Sequence, residues 1–337
     1  SMLQAIFDAD TAAGGESFWM DRVLERPSGG SGGNHLYTRG RALYMYNHTA
    51  GSLGFGGGWA YRERPTGSNQ NLYTVSVSNA SFSEATGQRA QYPSHWTSVH
   101  NASGLSAEQA KFITHNNVAV TLLTLTNTSG SPTTRTVTAT APITGAASSD
   151  GTEGVGSVSM RYAVTTVTPR FSGDGFTVTD SGNLTRSITL DPGESVTLKV
   201  QLGATTEELP ESAAEYERYR DYDADEALGT HLAEYNQWWV DNVPYIDVPD
   251  QNIKKMSYYR TFMNRFNLVD ANAPGNDYQF PVSIEGVLGY NNAIQLTQPM
   301  HMQDLKYFRD PIYAYGNLLS SGEMSKCGAF TDNPGSH

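Results

Sequence analysis

The first two hundred residues alternate between apolar and polar side chains. Apolar residues take every second position in 196–202, and 118–125 repeats the alternation with a shift of phase. A period of two places successive side chains on opposite faces of a β-strand. Many short runs of this kind, separated by Gly, Ser, Asn and Pro, predict an antiparallel β-sandwich over residues 1–205.

Turn signals lie between these strands. The sequence Asp-Pro-Gly-Glu at 191–194 favours a tight turn, and it predicts a hairpin between residues 188–190 and 196–202. The Gly-rich stretches at 28–33 and 54–58 lack the lysine and the strand–loop–helix context of a phosphate-binding loop. We therefore interpret both stretches as turns.

After residue 205 the apolar residues recur at spacings of three and four, which is typical of helices. The predicted helical faces lie within residues 216–222, 228–239, 253–263 and 305–319. Asp250 is a candidate N-cap for the third of these helices. Pro311 interrupts the last segment and predicts a kink or a new helix start.

The negative charge is concentrated in one part of the chain. The protein has 34 acidic and 22 basic residues, and 13 of the acidic but only two of the basic residues lie in 206–250. Such a run is typical of a solvated helix face, so residues 206–243 are predicted to form an acidic helical linker. The formal charge of −12 argues against nucleic acid as a partner.

Composition excludes several other classes of protein. No stretch approaches the roughly 20 apolar residues of a membrane-spanning helix, so no membrane partner is expected. The single cysteine, Cys327, excludes an internal disulfide framework and a multi-cysteine metal site. We expect no cofactor and no metal ion.

The final third of the chain carries a family resemblance. Three segments contribute to it: Trp-Trp-Val-Asp-Asn-Val-Pro at 238–244, a candidate first helix at 253–260, and a loop and helix entry over 280–304. Together with the preceding sandwich, this order resembles the six-hairpin glycosidase superfamily. Its members include glucoamylase-like, trehalase-like, maltose-phosphorylase-like and oligosaccharide-glucosidase-like enzymes. The resemblance implies that residues 244–337 form the N-terminal part of an (α/α)6 catalytic barrel.

The helix entry departs from the superfamily at one position. A Trp-Asp pair commonly starts that helix, whereas here Asp304 matches the aspartate and Gln303 replaces the tryptophan. The barrel is also expected to be incomplete, because twelve helices need roughly 200 residues or more. We expect either a truncated chain or one half of a nicked enzyme, completed by a second polypeptide.

The resemblance implies a glycoside hydrolase, exo-acting and inverting, that uses two carboxyl groups as acid and base. Asp304 and Glu285 are the candidate catalytic residues. Asp304 has the alternative of capping a helix that begins at Leu305, and Glu285 that of binding loop backbone. Asp310, which precedes Pro311, is predicted to cap a helix restart.

Aromatic and amide side chains surround the two candidate carboxylates in the sequence. Such residues stack on sugar rings and hold sugar hydroxyl groups. The candidate substrate-binding residues are His301, Gln298, Tyr290, Asn291 and Asn292.

Three other functions remain open. The chain is alternatively a non-catalytic carbohydrate-binding or structural fragment, or a glycoside phosphorylase on the same scaffold, with phosphate in place of water. A polysaccharide lyase is disfavoured by the sandwich-first order and the negative charge. Low lysine content and abundant Ser, Thr, Asn and Gly favour a secreted or periplasmic bacterial protein, with a cytoplasmic one as the alternative.

Overall fold

The computed structural model describes residues 44–46, 52–56, 58–60, 72–159, 166–205, 210–269, 280–283 and 297–323 of the 337. These residues fall into two compact units, one extending to Gly229 and the other beginning at Thr230. The first unit consists mainly of β-strands, whereas the second is mainly helical.

The described strands of the first unit are short at its beginning and long at its centre. They are β1 (Tyr44–Tyr46), β2 (Gly54–Phe55), β3 (Gly58–Ala60), β4 (Tyr73–Val77), β5 (Ser83–Glu84), β6 (Ala90–Gln91), β7 (Trp96–Ala102), β8 (Leu105–Ile113), β9 (Val118–Asn127), β10 (Thr133–Thr140), β11 (Ala146–Ala147), β12 (Gly154–Val155), β13 (Val158–Ser159), β14 (Thr166–Gly173), β15 (Thr177–Val178), β16 (Leu184–Leu190) and β17 (Ser195–Thr205). A 3-10 turn covers Thr86–Gln88.

Two antiparallel sheets dominate this unit. One has five strands in the order β15-β16-β10-β4-β2. The other has ten strands, with the path β11-β12-β14-β17-β9-β8-β7-β5, while β13 pairs with β14 and β6 with β7. Strands β1 and β3 pair separately. The antiparallel, sandwich-like architecture predicted from the alternating pattern is confirmed.

Tyr73 shows that the two sheets face each other. It projects from β4 of the five-stranded sheet, and its hydroxyl group bonds Thr121 Oγ1 at 2.9 Å on β9 of the ten-stranded sheet. Its ring lies 5.3 Å from that of Phe171 on β14. All three side chains are fully buried, so the core of this unit lies between the sheets.

The turn at 191–194 corrects one prediction. Strand β16 pairs with β10 and β15, whereas β17 pairs with β9 and β14, so the two strands lie in different sheets. The tight turn is present, with Gly193 at a φ of 78° and the Glu194 N–H bonded to the Asp191 carbonyl at 2.9 Å. The predicted hairpin is therefore wrong, because this turn carries the chain from one sheet to the other.

Strand β9 is buried on both faces, since a helix covers the outer side of its sheet. Its residues Val118, Val120 and Leu122 pack with Phe112 and with three residues of the helical region, Tyr216, Tyr219 and Ala227. The inner-facing positions contribute to the core between the sheets. The phase shift in the sequence thus reflects a central strand with two apolar faces.

The helix on this outer face is α1 (Pro210–Asp221), and β17 fits closely against it. Gly203 leaves room for the Tyr216 ring, because a Cβ there would lie 2.6 Å from Tyr216 Cδ2. Lys199 Nζ donates to the Tyr219 carbonyl at 2.8 Å and to the Arg220 carbonyl at 3.2 Å. The buried lysine therefore satisfies carbonyl groups that the end of a helix leaves without partners.

A polar cluster lies inside the sandwich, beside β2. Lys111, fully buried on β8, donates from Nζ to the Gly54 carbonyl at 2.8 Å. Gln109, two residues earlier, accepts from the Gly54 N–H at 3.2 Å and donates to the Ser52 carbonyl at 3.0 Å. His100 on β7 bonds Ser98 Oγ at 3.0 Å. These contacts hold the backbone of β2 against the ten-stranded sheet.

In the part of the chain that the structure describes, four further helices follow α1, together with a two-stranded sheet. They are α2 (Ala224–Asn242), α3 (Gln251–Asn267), α4 (Gln298–Leu305) and α5 (Ile312–Glu323), with β18 (Leu268–Val269) paired to β19 (Val282–Ser283). In the described part of the chain, no helix has the length and apolar character needed to span a bilayer.

Two helix starts confirm their predictions. The Asp250 carboxylate accepts from the N–H groups of Asn252 and Ile253, so Asp250 caps α3. The Asp310 carboxylate accepts from the Ile312 N–H at 2.9 Å, and α5 begins directly after Pro311. The proline therefore marks a new helix.

Aromatic side chains form the core of the second unit. Trp238 on α2 lies 5.5 Å from the Phe308 ring and 5.7 Å from the Tyr313 ring, and its Nε1 donates to the Tyr313 hydroxyl at 2.9 Å. Leu268 and Leu305 are buried in the same cluster. These contacts pack α2, α4 and α5 together within this unit.

Candidate functional site

Asp304 lies in the last turn of α4, in the second unit. The helix runs from Gln298 to Leu305, so the alternative in which Asp304 caps a helix beginning at Leu305 is wrong. The Asp304 side chain is 24% exposed and forms its contacts with α3. Its position allows it to meet a ligand while it is held by the protein.

Two residues of α3 hold the Asp304 carboxylate. Arg260 Nε donates to Asp304 Oδ2 at 2.6 Å, and Asn264 Nδ2 donates to the same oxygen at 3.2 Å. The two donors are four residues apart, so they lie on one face of the helix. Asn264 is buried, whereas the Arg260 side chain is 66% exposed.

His301 lies one turn before Asp304 and contacts the short sheet. Its Nδ1 is 2.9 Å from the hydroxyl oxygen of Ser283 on β19. Ser283 is buried, and its backbone N–H donates to Asn317 Oδ1 at 2.8 Å on α5. The imidazole is therefore attached to a fixed part of the fold.

Gln298 faces inward at the first turn of α4. Its amide nitrogen is 3.5 Å from Asn317 Oδ1, and its amide oxygen accepts from the Ser321 hydroxyl. Gln298 and Asn317 are both buried. The close approach of Gly316 to the Pro281 carbonyl, which a Cβ would meet at 2.3 Å, brings α5 against the same segment. These contacts join α4 to α5, and a sugar contact by Gln298 stays a prediction.

The remaining predicted site residues lie outside the described residues. They are Glu285, Tyr290, Asn291 and Asn292. Asp304, His301 and Gln298 all lie on α4, and their side chains contact three different elements, namely α3, β19 and α5.

Sequence reasoning missed four residues of this group, namely Arg260, Asn264, Ser283 and Asn317. Arg260 and Asn264 could have been found from the sequence, because polar residues four positions apart on a predicted helix lie on the same face. Ser283 and Asn317 had none, since their contacts depend on the packing of distant segments.

Comparison with known proteins gives a fold relationship. No family model matches the chain. A solved structure from the human microbiome, named as a kojibiose phosphorylase, matches 85% of this chain and 45% of its own, with a TM-score of 0.58 and 9% identity. A family GH92 α-mannosidase from Bacteroides thetaiotaomicron matches 81% of this chain and 45% of its own, with a TM-score of 0.35 and 10% identity.

The first match, with a TM-score of 0.58, establishes a shared fold. The chain has the fold of part of this structure, named as a kojibiose phosphorylase, so the predicted resemblance is confirmed for the fold alone. The chain spans less than half the length of the solved structures it matches.

Proposed function

We propose that this chain is part of an enzyme that cleaves glycosidic bonds. The fold shared with the human-microbiome structure named as a kojibiose phosphorylase carries this proposal. The arrangement of Asp304 supports it, since a partly exposed carboxylate held by an arginine and an asparagine suits the recognition of sugar hydroxyl groups. The proposed reaction is exo-acting hydrolysis with inversion.

The chemistry needs two carboxyl groups on opposite sides of the scissile bond. One protonates the leaving oxygen, and the other activates a water molecule on the far face of the sugar. We propose Asp304 and Glu285 for this pair. The residues proposed around the sugar are His301, Gln298, Tyr290, Asn291 and Asn292.

We further propose that helices α3 to α5 begin an (α/α)6 barrel. Their exposed apolar side chains support this, because soluble proteins rarely leave such residues clustered in water. The exposed members are Ile253, Met256, Tyr259 and Met263 on α3, Met300 on α4, and Tyr315, Leu318 and Leu319 on α5. Further helices would cover them, supplied by the same protein or by a second polypeptide.

Phosphorolysis is the second candidate reaction. Phosphate would replace water as the attacking group, and the product would be a sugar 1-phosphate. The name of the matched structure favours this candidate.

A secreted or periplasmic location is part of the same proposal. Low lysine content and abundant hydroxyl and amide side chains support it.

Asp304→Asn tests the proposed function. In the complete enzyme that contains this chain, we expect turnover of a panel of glycosides, with the variant lowering kcat/KM by at least about 100-fold, since a carboxylate in acid–base catalysis typically contributes that much. Reactions with and without inorganic phosphate, analysed for free sugar and for sugar 1-phosphate, separate hydrolysis from phosphorolysis.

Asp310→Asn is the matched control for this experiment. Asp310 caps α5, and asparagine caps helices about as well as aspartate, so full activity is expected. Glycoside turnover unaffected by Asp304→Asn, or lost equally in the control, would refute the assignment of Asp304.

A further inference from the structure

We propose that Arg260 and Asn264 are positioning residues that orient the Asp304 carboxylate toward a sugar substrate. Asp304 lies on α4, and both positioning residues lie on α3. This inference rests on the proposed function, because it gives the two residues a role only if Asp304 meets substrate.

The two donors select one oxygen of the carboxylate. Both hydrogen bonds end on Oδ2, at 2.6 Å from Arg260 and 3.2 Å from Asn264. Within the part of the chain that the structure describes, Oδ1 accepts no hydrogen bond from protein. Two bonds on one oxygen hold Oδ2 in place, so Oδ1 is the oxygen left available to a sugar hydroxyl group.

The base of this arrangement is rigid. Asn264 is buried on α3, and the Asp250 side chain caps the start of that helix through two backbone N–H groups. A site supported by a capped helix holds its geometry better than one on loops. The position of Oδ1 is therefore set by α3 as much as by α4.

Stability alone does not account for the Arg260 contact. The Arg260 side chain is 66% exposed, and ion pairs this open to water contribute little to folding while they immobilise a long side chain. The pair contributes to the rate if it holds a reacting group in place, since a displacement of that group by about 1 Å can lower the rate about 100-fold.

Substitution of Arg260 gives the first test. Arg260→Gln removes the charge and should lower kcat/KM by about 10- to 100-fold, with the midpoint of thermal unfolding essentially unchanged. Arg260→Lys should recover part of this loss, because lysine restores a donor and the charge but not the planar geometry. Asn264→Leu should also lower kcat/KM.

Lys306→Gln is the matched control. Lys306 is an exposed cation just after α4, and it donates to Gln303 at 2.8 Å rather than to Asp304. The control removes the same charge close to the site, so it reports any general electrostatic effect. We expect kcat/KM to stay within about twofold, since surface charges of this kind act weakly.

A double variant decides whether Arg260 acts through Asp304. If it does, Arg260→Gln should cause no further loss in a chain that already carries Asp304→Asn, because contributions through one group do not add. A full additional loss in the double variant would overturn the inference, as would unchanged kcat/KM in Arg260→Gln alone.

These outcomes distinguish the inference from the function on which it rests. A large effect of Asp304→Asn with none from Arg260→Gln leaves the proposed function standing and removes the positioning role. If the complete enzyme that contains this chain turns over no glycoside, or if Asp304→Asn in that enzyme has no effect, both proposals are wrong.

Discussion

Lys111 is a buried amine in a cluster that also contains ionisable groups from neighbouring strands. Its Nζ lies 5.6 Å from the Phe55 ring and 5.9 Å from the Trp96 ring. Burial lowers the pKa of Lys111 from 10.5 to about 7, with Glu84 raising it and Arg89 lowering it further. Burial also lowers the pKa of His100. In both cases the charged form loses its hydration inside the sandwich.

This cluster makes stability depend on pH. Between about 7 and 10.5 the unfolded chain binds a proton at Lys111 that the folded chain does not. The free energy of unfolding should therefore rise with pH over this range, by at most about 1.4 kcal/mol per pH unit from this one group. His100 adds a loss of stability on acidification below its usual pKa of 6.5.

Lys111→Met should remove the rise in stability between pH 7 and 9. Denaturant unfolding of the wild type and the variant, followed by tryptophan fluorescence at several pH values, measures the two slopes. Lys306→Met, at an exposed lysine, should keep the wild-type slope. A variant at position 111 that retains the full pH dependence would contradict the argument.

Single residues were predictable where their role is local. Asp250 and Asp310 were identified as helix caps, since a cap contacts only the next few residues. The partners of Asp304 were not identified, because Arg260 and Asn264 reach it across a contact between two helices. Sequence therefore indicated the candidate carboxylate but not the residues that hold it.

The packing of helix α1 on the sandwich depends on three residues of β17. Gly203 leaves room for the Tyr216 ring, and Gln201 donates to the Tyr216 carbonyl at 2.9 Å. Lys199 caps the end of the helix by donating to the Tyr219 carbonyl. The Tyr216 hydroxyl group also donates to Ser172 at 2.7 Å. The first helix of the predicted linker is thus part of the sandwich unit.

Gly203→Ala should destabilise the sandwich unit by about 1–3 kcal/mol, a usual cost of overpacking. The added Cβ would lie 2.6 Å from the Tyr216 ring, so the ring or the helix must move. Gly130→Ala is the control, because nothing lies within 4 Å of its Cβ, and we expect a change within about 0.5 kcal/mol. Equal denaturation midpoints for the two variants would show that α1 is not tightly docked.

Strands were easier to predict than their partners. The alternation in 196–202 identified β17 correctly, since it reports which side chains share a face. The pairing was predicted wrongly because a tight turn is compatible with a hairpin and with a crossing between two sheets. The order of all the strands decides between a hairpin and a crossing, and residues 188–202 alone carry no information about that order.

At the scale of the whole molecule, the sheet-rich first unit and the helical second unit were foreseeable from periodicity alone. The apolar pattern on α3 predicted a helical face, and the structure leaves part of that face in water, with Met256 64% exposed. On α5, Leu318 is 51% exposed. Periodicity identifies an apolar face, but only the arrangement of elements shows whether it is covered.

Met256→Gln combined with Leu318→Gln should reduce self-association of the chain. Exposed apolar side chains of this size favour association, and glutamine removes that tendency without changing the helix. Sedimentation over a range of concentrations should show a mass that depends on concentration for the wild type but not for the double variant. Gln303→Asn, at an exposed polar site, should behave as the wild type does. Identical sedimentation of all three chains would show that these side chains do not drive association.

The position of β17 has a consequence for synthesis on the ribosome. It is the last strand of the sandwich in sequence, yet it lies between β9 and β14 within the ten-stranded sheet. Until residues 195–205 have been translated, β9 has no neighbour on that side, and an unpaired apolar strand edge is a template for aggregation. A nascent chain that stalls before Ser195 would therefore need the protection of a chaperone.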